Sequence, residues 1–170
     1  METIILFEET QQFSKTGSRT ITKVTCILFL IGSILILFTN SEDKVQTSIG
    51  LFVSSIISGG ISFIFNKAKL IMQIRTDGIY VSFPPLRNFY TIYYWENIDK
   101  LFIREYNPIG EYGGWGIKGR GNNLAYNVSG NIGIQLVLIN DSKLLIGTNQ
   151  PEEIANVLTR LGKLDYLIEQ

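Results

Sequence analysis

Histidine is absent from the chain. The side chain that most often serves as general base and as metal ligand near neutral pH is therefore missing. There is one cysteine, Cys26, so no disulfide closes within the chain, which suits a reducing compartment. An excess of charge is absent too, because 15 Lys and Arg balance 15 Asp and Glu. The part after Asn66 is balanced as well, which excludes the basic footprint of a nucleic-acid binder. No cofactor or metal is expected from this composition.

Charge is also missing locally. Val24–Thr39 and Thr47–Phe65 contain no ionised side chain, and only the short polar turn Asn40–Gln46 separates them. About 20 apolar residues at 1.5 Å rise span a bilayer core of about 30 Å. With flanking threonines and Lys23 placed at the interface, Ile21–Thr39 and Thr47–Asn66 meet that length. Both runs are apolar on every side, and a small soluble domain has too little interior to cover two such helices. A signal peptide is the other reading, with Lys15, Arg19 and Lys23 before an apolar Cys26–Phe38. No small-residue cleavage site follows, however, and a second apolar run comes at once.

The spans are thus expected to form an antiparallel transmembrane hairpin in contact with the lipid bilayer. Lys15, Arg19 and Lys23 precede it and Lys67, Lys69 and Arg75 follow it, while the turn holds Glu42, Asp43 and only Lys44. Lys and Arg mark the cytoplasmic side. Both termini and the larger domain are accordingly expected on the cytoplasmic side of the membrane. Gly50, Ser54, Ser58 and Ser62 lie four apart and set small residues on one ridge. Such a ridge allows close helix approach, with Gly32 and Ser33 facing it, or a homo-oligomer.

The expected division is a flank over 1–20, the hairpin over 21–66 and a β-rich domain over 67–170. Met1–Ser14 fits either a strand of that domain or an interfacial helix. After the hairpin, Ile71–Thr76 and Ile79–Phe83 flank Asp77-Gly78, a strong hairpin signal. Pro84-Pro85 ends the second strand, and Asn88–Tyr94 and Lys100–Tyr106 continue the pattern around a corner at Trp95–Ile98. Further strands are expected at Trp115–Lys118, Leu124–Val128, Ile132–Ile139 and Lys143–Thr148. Pro151, Glu152 and Glu153 open a helix whose apolar face is Ile154, Val157, Leu158 and Leu161, and Gly162 stops it. The fold class is α+β: a membrane hairpin, then about seven antiparallel strands in a bent sheet or open barrel capped by the C-terminal helix.

Several segments carry a narrower resemblance. They are Glu9-Thr10-Gln11-Gln12-Phe13, Thr76-Asp77-Gly78-Ile79-Tyr80-Val81, Trp95-Glu96-Asn97-Ile98, Glu111-Tyr112-Gly113-Gly114-Trp115-Gly116-Ile117, Ala125-Tyr126-Asn127-Val128-Ser129-Gly130 and Leu145–Glu153. Together they resemble a family of bacterial two-helix membrane proteins with a pleckstrin-homology-like (PH-like) domain. The resemblance implies a fold and a location in a bacterial cytoplasmic (inner) membrane, and it assigns no catalytic residue. Lipid-binding PH domains gather basic residues around the loop between their first two strands. Here that loop is Asp77-Gly78, and Arg87 alone lies in the loop after the second strand.

Among the motifs, Gly114–Gly119 spells G-x-G-x-x-G without the following helix that a dinucleotide site needs. Its glycines read instead as bends around Trp115. Glu111, Tyr112, Trp115, Tyr126 and Asn127 form a polar and aromatic set that suits either a partner pocket or an internal hydrogen-bond network. The segments Glu111–Gly116 and Tyr126–Gly130 are expected to meet, with Trp115 packed in the sheet and Tyr126 or Asn127 hydrogen-bonding the glycine-rich backbone. Lys118, Arg120 and Lys143 are candidates to face an anionic membrane, or else form a solvated face. Ser129 has no base at readable spacing, and Asp99, Glu105 and Glu111 are carboxylates without a visible partner. The expectation is a non-enzymatic module that binds a protein or peptide partner or assembles with itself, with membrane-surface sensing as the alternative.

Overall fold

A computed structural model describes residues 3–13, 18–164 and 166–167. Lys15, one of the cations used for orientation, and the C-terminal Gln170 lie outside the described residues. The chain forms two compact units. One is Phe13–Lys67, and the other joins the residues up to Gln12 with those from Ala68 onward.

The first unit is a pair of long apolar helices. Helix α1 (Ser18–Leu35) continues into a 3-10 turn at Ile36–Phe38, and α2 spans Lys44–Lys67. Mean hydropathy reaches 2.4 over Thr20–Phe38 and 1.9 over Lys44–Lys67, and little of either stretch is buried. The hydroxyl of Thr39 donates to Ile36 O at 2.7 Å and stops the 3-10 turn. The two helices exchange polar contacts through small side chains. Ser48 Oγ donates to Ser33 O at 2.7 Å, Ser55 Oγ to Cys26 O at 3.1 Å, and the Cys26 thiol to Ser55 O at 3.4 Å. The seam therefore runs through Ser48, Ser55 and Ser62, with Ser33, Ser55 and Ser62 buried. This corrects the expected ridge, of which Ser62 alone is buried. Gly50 points to open space, and Ser54 bonds its own helix at Gly50 O. The reason is angular: a seven-residue repeat keeps one line facing a partner helix, while a strict four-residue repeat drifts around the helix.

The second unit is built on strands. The first sheet is antiparallel in the order β1 (Ile5–Gln12), β2 (Lys69–Arg75), β3 (Gly78–Phe83) and β4 (Arg87–Tyr94). The flank thus resolves as a strand, and it belongs with the residues that follow the helices. Its alternation buries Phe7, Glu9 and Gln11 on one face. Gln12 pairs directly with Lys69, so the whole helical pair is inserted into what would otherwise be a β-hairpin.

A 3-10 turn at Trp95–Asn97 takes the chain out of the first sheet. The Trp95 indole donates to Arg75 O at 3.2 Å and Thr76 O at 3.1 Å, which fixes that corner. Next come β5 (Ile98–Glu105), a short helix α3 (Pro108–Tyr112), β6 (Gly116–Arg120), β7 (Asn123–Asn127), β8 (Ile132–Leu138) and β9 (Lys143–Gly147). Helix α4 (Pro151–Arg160) and a two-residue β10 (Tyr166–Leu167) complete the unit. The second sheet has the order β10-β5-β8-β9-β7-β6.

The described residues thus hold ten strands in two sheets, not about seven in one antiparallel bent sheet, and no barrel closes. Two pairings are parallel, β7 with β9 and β10 with β5. The corner at Trp95 sends β5 to pair with β8 rather than β4, which separates the sheets. From β7 the chain places β8 one position further out, and β9 fills the gap beside β7.

Inward-facing Met72, Ile74, Ile79 and Phe83 of the first sheet and Leu101, Ile134, Leu136 and Ile146 of the second make the core. Helix α4 lies against β1 and adds Ile154 and Leu158, both fully buried. Val157 and Leu161 are only half-buried, which narrows the expected four-residue face. The helix ends in two reversed bonds, Lys163 N to Leu158 O at 2.9 Å and Gly162 N to Thr159 O at 3.0 Å. They require the left-handed backbone that Gly162 supplies.

Candidate functional site

Three regions of the β-rich unit carry polar or exposed features in need of an account. The first is the glycine-rich segment over the outer face of the second sheet. Asn107 caps α3 by accepting from Ile109 N and Gly110 N at 3.2 and 2.9 Å, with Pro108 at the first helical position. Glu111 reaches back to accept from Asn107 N at 2.8 Å. Its carboxylate also receives Arg104 Nη2 at 2.7 Å and Nη1 at 3.2 Å, a two-pronged ion pair. The Arg104 hydrogen bond holds the Glu111 carboxyl below its ordinary range, against a smaller opposing effect of burial. Tyr112 is buried against Tyr106, Ala125 and Leu145. Its hydroxyl lies 3.3 Å from Arg104 Nη2 and 3.4 Å from Asn123 Oδ1. Burial pushes the Tyr106 and Tyr112 phenols up.

The expected meeting of Glu111–Gly116 with Tyr126–Gly130 is present. Gly116 is paired with Asn127 across β6 and β7, and Asn127 Oδ1 accepts from Gly116 N at 2.9 Å. Asn127 thus bonds the glycine-rich backbone as expected, but Trp115 is not packed in the sheet: the residue is 39% exposed, because its indole reaches out to donate to Gly130 O at 3.3 Å. Tyr126 points the other way, into the core beside Phe83, where its hydroxyl accepts from Arg87. The five polar and aromatic residues therefore do not converge. Glu111, Tyr112, Trp115 and Asn127 organise the loop and its strand, while Tyr126 joins the two sheets. Arg104 and Arg87, which hold Glu111 and Tyr126, carried no sequence signal, because each is a strand residue whose partner is set by tertiary packing.

The second region is the open edge at β4, the outermost strand of its sheet. Phe89 is 67% and Tyr94 41% exposed on this strand, and Tyr90 and Ile92 are exposed too. A hollow of about 550 Å³ lies beside it, lined by Ile92, Tyr93, Asn97, Leu138, Ile139 and Asn140. Burial raises the Tyr93 hydroxyl to about 12. A strand edge presents outward N–H and C=O groups to whatever lies alongside. An apolar hollow next to such an edge suits an extended segment that inserts alternate side chains. The tyrosine- and isoleucine-rich run marked β4 as a strand, but its place at an edge depends on sheet order.

The third region is basic. Arg120 of β6 pairs with Asn123 of β7, which pairs with Lys143 of β9; Lys143 pairs with Val137 of β8, and Val137 with Lys100 of β5. Paired residues share a face, so Arg120, Lys143 and Lys100 stand in one row across the outer face. Lys118, two residues from Arg120, stands on the same face in the next row. All four are exposed. The three basic candidates from sequence are thus brought together, with Lys100 added to them. No group of metal-ligating residues occurs among the described residues. Comparison with protein-family models, with curated proteins and with solved structures gives no match.

Proposed function

We infer that the chain is a membrane-anchored interaction module of the bacterial cytoplasmic membrane. In this reading α1 and α2 span the bilayer, and the β-rich unit docks an extended segment of a protein partner from the cytoplasmic side. Length, hydropathy and low burial of both helices support the spanning, since a core helix of a soluble protein would be mostly covered. The distribution of Lys and Arg around the hairpin supports the orientation. Two sheets followed by a C-terminal helix support a PH-like classification of the unit. The helical insertion between β1 and β2 and the parallel pairings β7–β9 and β10–β5 are departures from a plain PH-like order.

One observation carries the docking role: the exposed aromatic edge of β4 borders an apolar hollow. Main-chain bonds from such an edge give affinity, and side-chain pockets give selectivity. The Glu111 carboxylate is engaged by Arg104 and Asn107, which leaves it poorly placed for acid-base work.

The test is photocrosslinking in intact membranes from a benzophenone amino acid placed at Phe89 or Ile92, with exposed Glu153 as control. The expected result is a discrete adduct from the β4 positions whose crosslinked peptide maps to an extended apolar segment. A second copy of this chain in that adduct would identify self-assembly through the same edge. Adducts no stronger from Phe89 and Ile92 than from Glu153 would overturn the docking role.

A further inference from the structure

We propose that the outer face of the second sheet is a contact surface for an anionic lipid bilayer, made by Lys100, Lys118, Arg120 and Lys143. This rests on the reading that α1 and α2 span a bilayer. The register sets the four cations on one face, and the neighbouring positions Asn123, Ala125, Leu145, Gln135, Val137 and Phe102 include no carboxylate. Glu111, on the helix covering this face, is already matched by Arg104. Asp99, in the bulge beside Lys100, and Asp141, in the turn before Lys143, are the nearest other carboxylates, so the four cations leave this face net positive even though the whole chain is neutral.

The spacing selects the partner. Strands lie about 4.8 Å apart, so Arg120, Lys143 and Lys100 are separated by about 10 Å each along the row. Cations that far apart on a flat sheet do not converge on one phosphate, as a headgroup pocket requires. They match a surface that carries many separate negative charges. Ile109, 67% exposed on α3 over the same face, adds an apolar group of the kind that enters an interface.

Within the β-rich unit, β1 is held at the far end of β9 from Lys143, so its contacts leave the basic row uncovered. Glu9 of β1 meets Thr148 and Asn149, and Gln11 meets Gly147. Strand β1 thus runs past the end of β9 in the opposite direction. Each cation near an anionic surface changes the docked-to-undocked ratio by roughly fivefold. The four act together on a domain that the tether already holds close.

The test uses the full chain with Cys26→Ser and an environment-sensitive fluorophore on Asn122→Cys, in the exposed turn between β6 and β7. It is reconstituted into vesicles of phosphatidylcholine alone or enriched in phosphatidylglycerol. The expected result is a blue shift only with phosphatidylglycerol, reversed by salt, and abolished by combined Lys118→Glu, Arg120→Glu and Lys143→Glu. Single changes to Gln should each lower the docked-to-undocked ratio roughly fivefold, with the tryptophan emission of the β-rich unit unchanged as proof of folding. Co-flotation with phosphatidylcholine vesicles under alkaline wash reports the spanning helices separately. Flotation without a phosphatidylglycerol-dependent shift overturns the lipid contact and leaves the anchor standing. Loss of flotation overturns the anchor itself, and the contact with it. A shift produced by soluble polyglutamate but not by phosphatidylglycerol would assign the face to an acidic protein and overturn the proposal.

Discussion

Glu9 offers the sharpest test of how the β-rich unit is held together. The residue is 4% exposed, an unusual position for a carboxylate, and both oxygens are used. Thr148 Oγ1 donates to one at 2.6 Å and Asn149 N to the other at 2.9 Å. Hydrogen bonds to an ionised acceptor contribute about 1.5–3 kcal/mol each, and a buried donor left alone costs about 1–3 kcal/mol. Glu9→Ala removes both bonds and strands both donors, so a loss of about 3–5 kcal/mol is expected. Glu9→Gln should cost much less, because an amide oxygen can still accept from Asn149 N while its NH₂ donates to the Thr148 hydroxyl. The assay is urea unfolding of the full chain in micelles, followed by tryptophan emission. Trp95 and Trp115 are the only tryptophans, and both lie in the β-rich unit, so the signal ignores the helices. With a slope of about 1–3 kcal/mol per molar urea, Glu9→Ala should lower the midpoint by on the order of 2 M. A Glu9→Ala midpoint within error of the parent, in an assay that does detect a core truncation, would refute the account.

That core truncation is Leu158→Ala. Leu158 is fully buried, and the change should cost about 2–5 kcal/mol in the same urea assay; no loss would mean that α4 is not docked. Gly119→Ala should destabilise by more than about 1 kcal/mol by the same measurement, since its φ is +115° and a Cβ would lie 2.1 Å from Asn123 O. Alkaline pH tests Tyr93. Its folded value of about 12 lies above the unfolded value near 10, so its contribution is fully present below pH 10 and is lost between about 10 and 12. Tyr93→Phe should flatten that part of the stability-pH curve, and an unchanged slope would contradict burial of the phenol.

The parts legible in the sequence are those whose cause is local. Uncharged length announced α1 and α2, Asp77-Gly78 announced the β2–β3 turn, and Pro151 with Gly162 bracketed α4. Even α3 had a local signal in Asn107-Pro108 followed by Glu111, although it sat in a stretch dominated by glycine. Long-range pairing was not legible. The flank Ile5–Gln12 alternates well enough for a strand, but its partner lies beyond two helices. Polar and aromatic composition grouped Tyr126 with Trp115, yet neighbours along a strand face opposite sides. Tyr126 therefore enters the core while Asn127 serves the loop. The basic row shows the same rule from the other side, since Lys100 joins Lys143 only through the order of three strands, β5, β8 and β9.

The insertion of α1 and α2 between β1 and β2 also sets a timetable. A ribosome makes β1 first, then both apolar helices, and only afterwards the strand that pairs with it. Until then Phe7, Glu9 and Gln11 have no covering surface. The partners of Glu9 come later still, 139 and 140 residues downstream. The β-rich unit is thus unable to finish folding ahead of the helices, as an N-terminal domain ordinarily does during synthesis. Its first strand waits for nearly the last segment of the chain, so the helices are made long before the domain they interrupt can close.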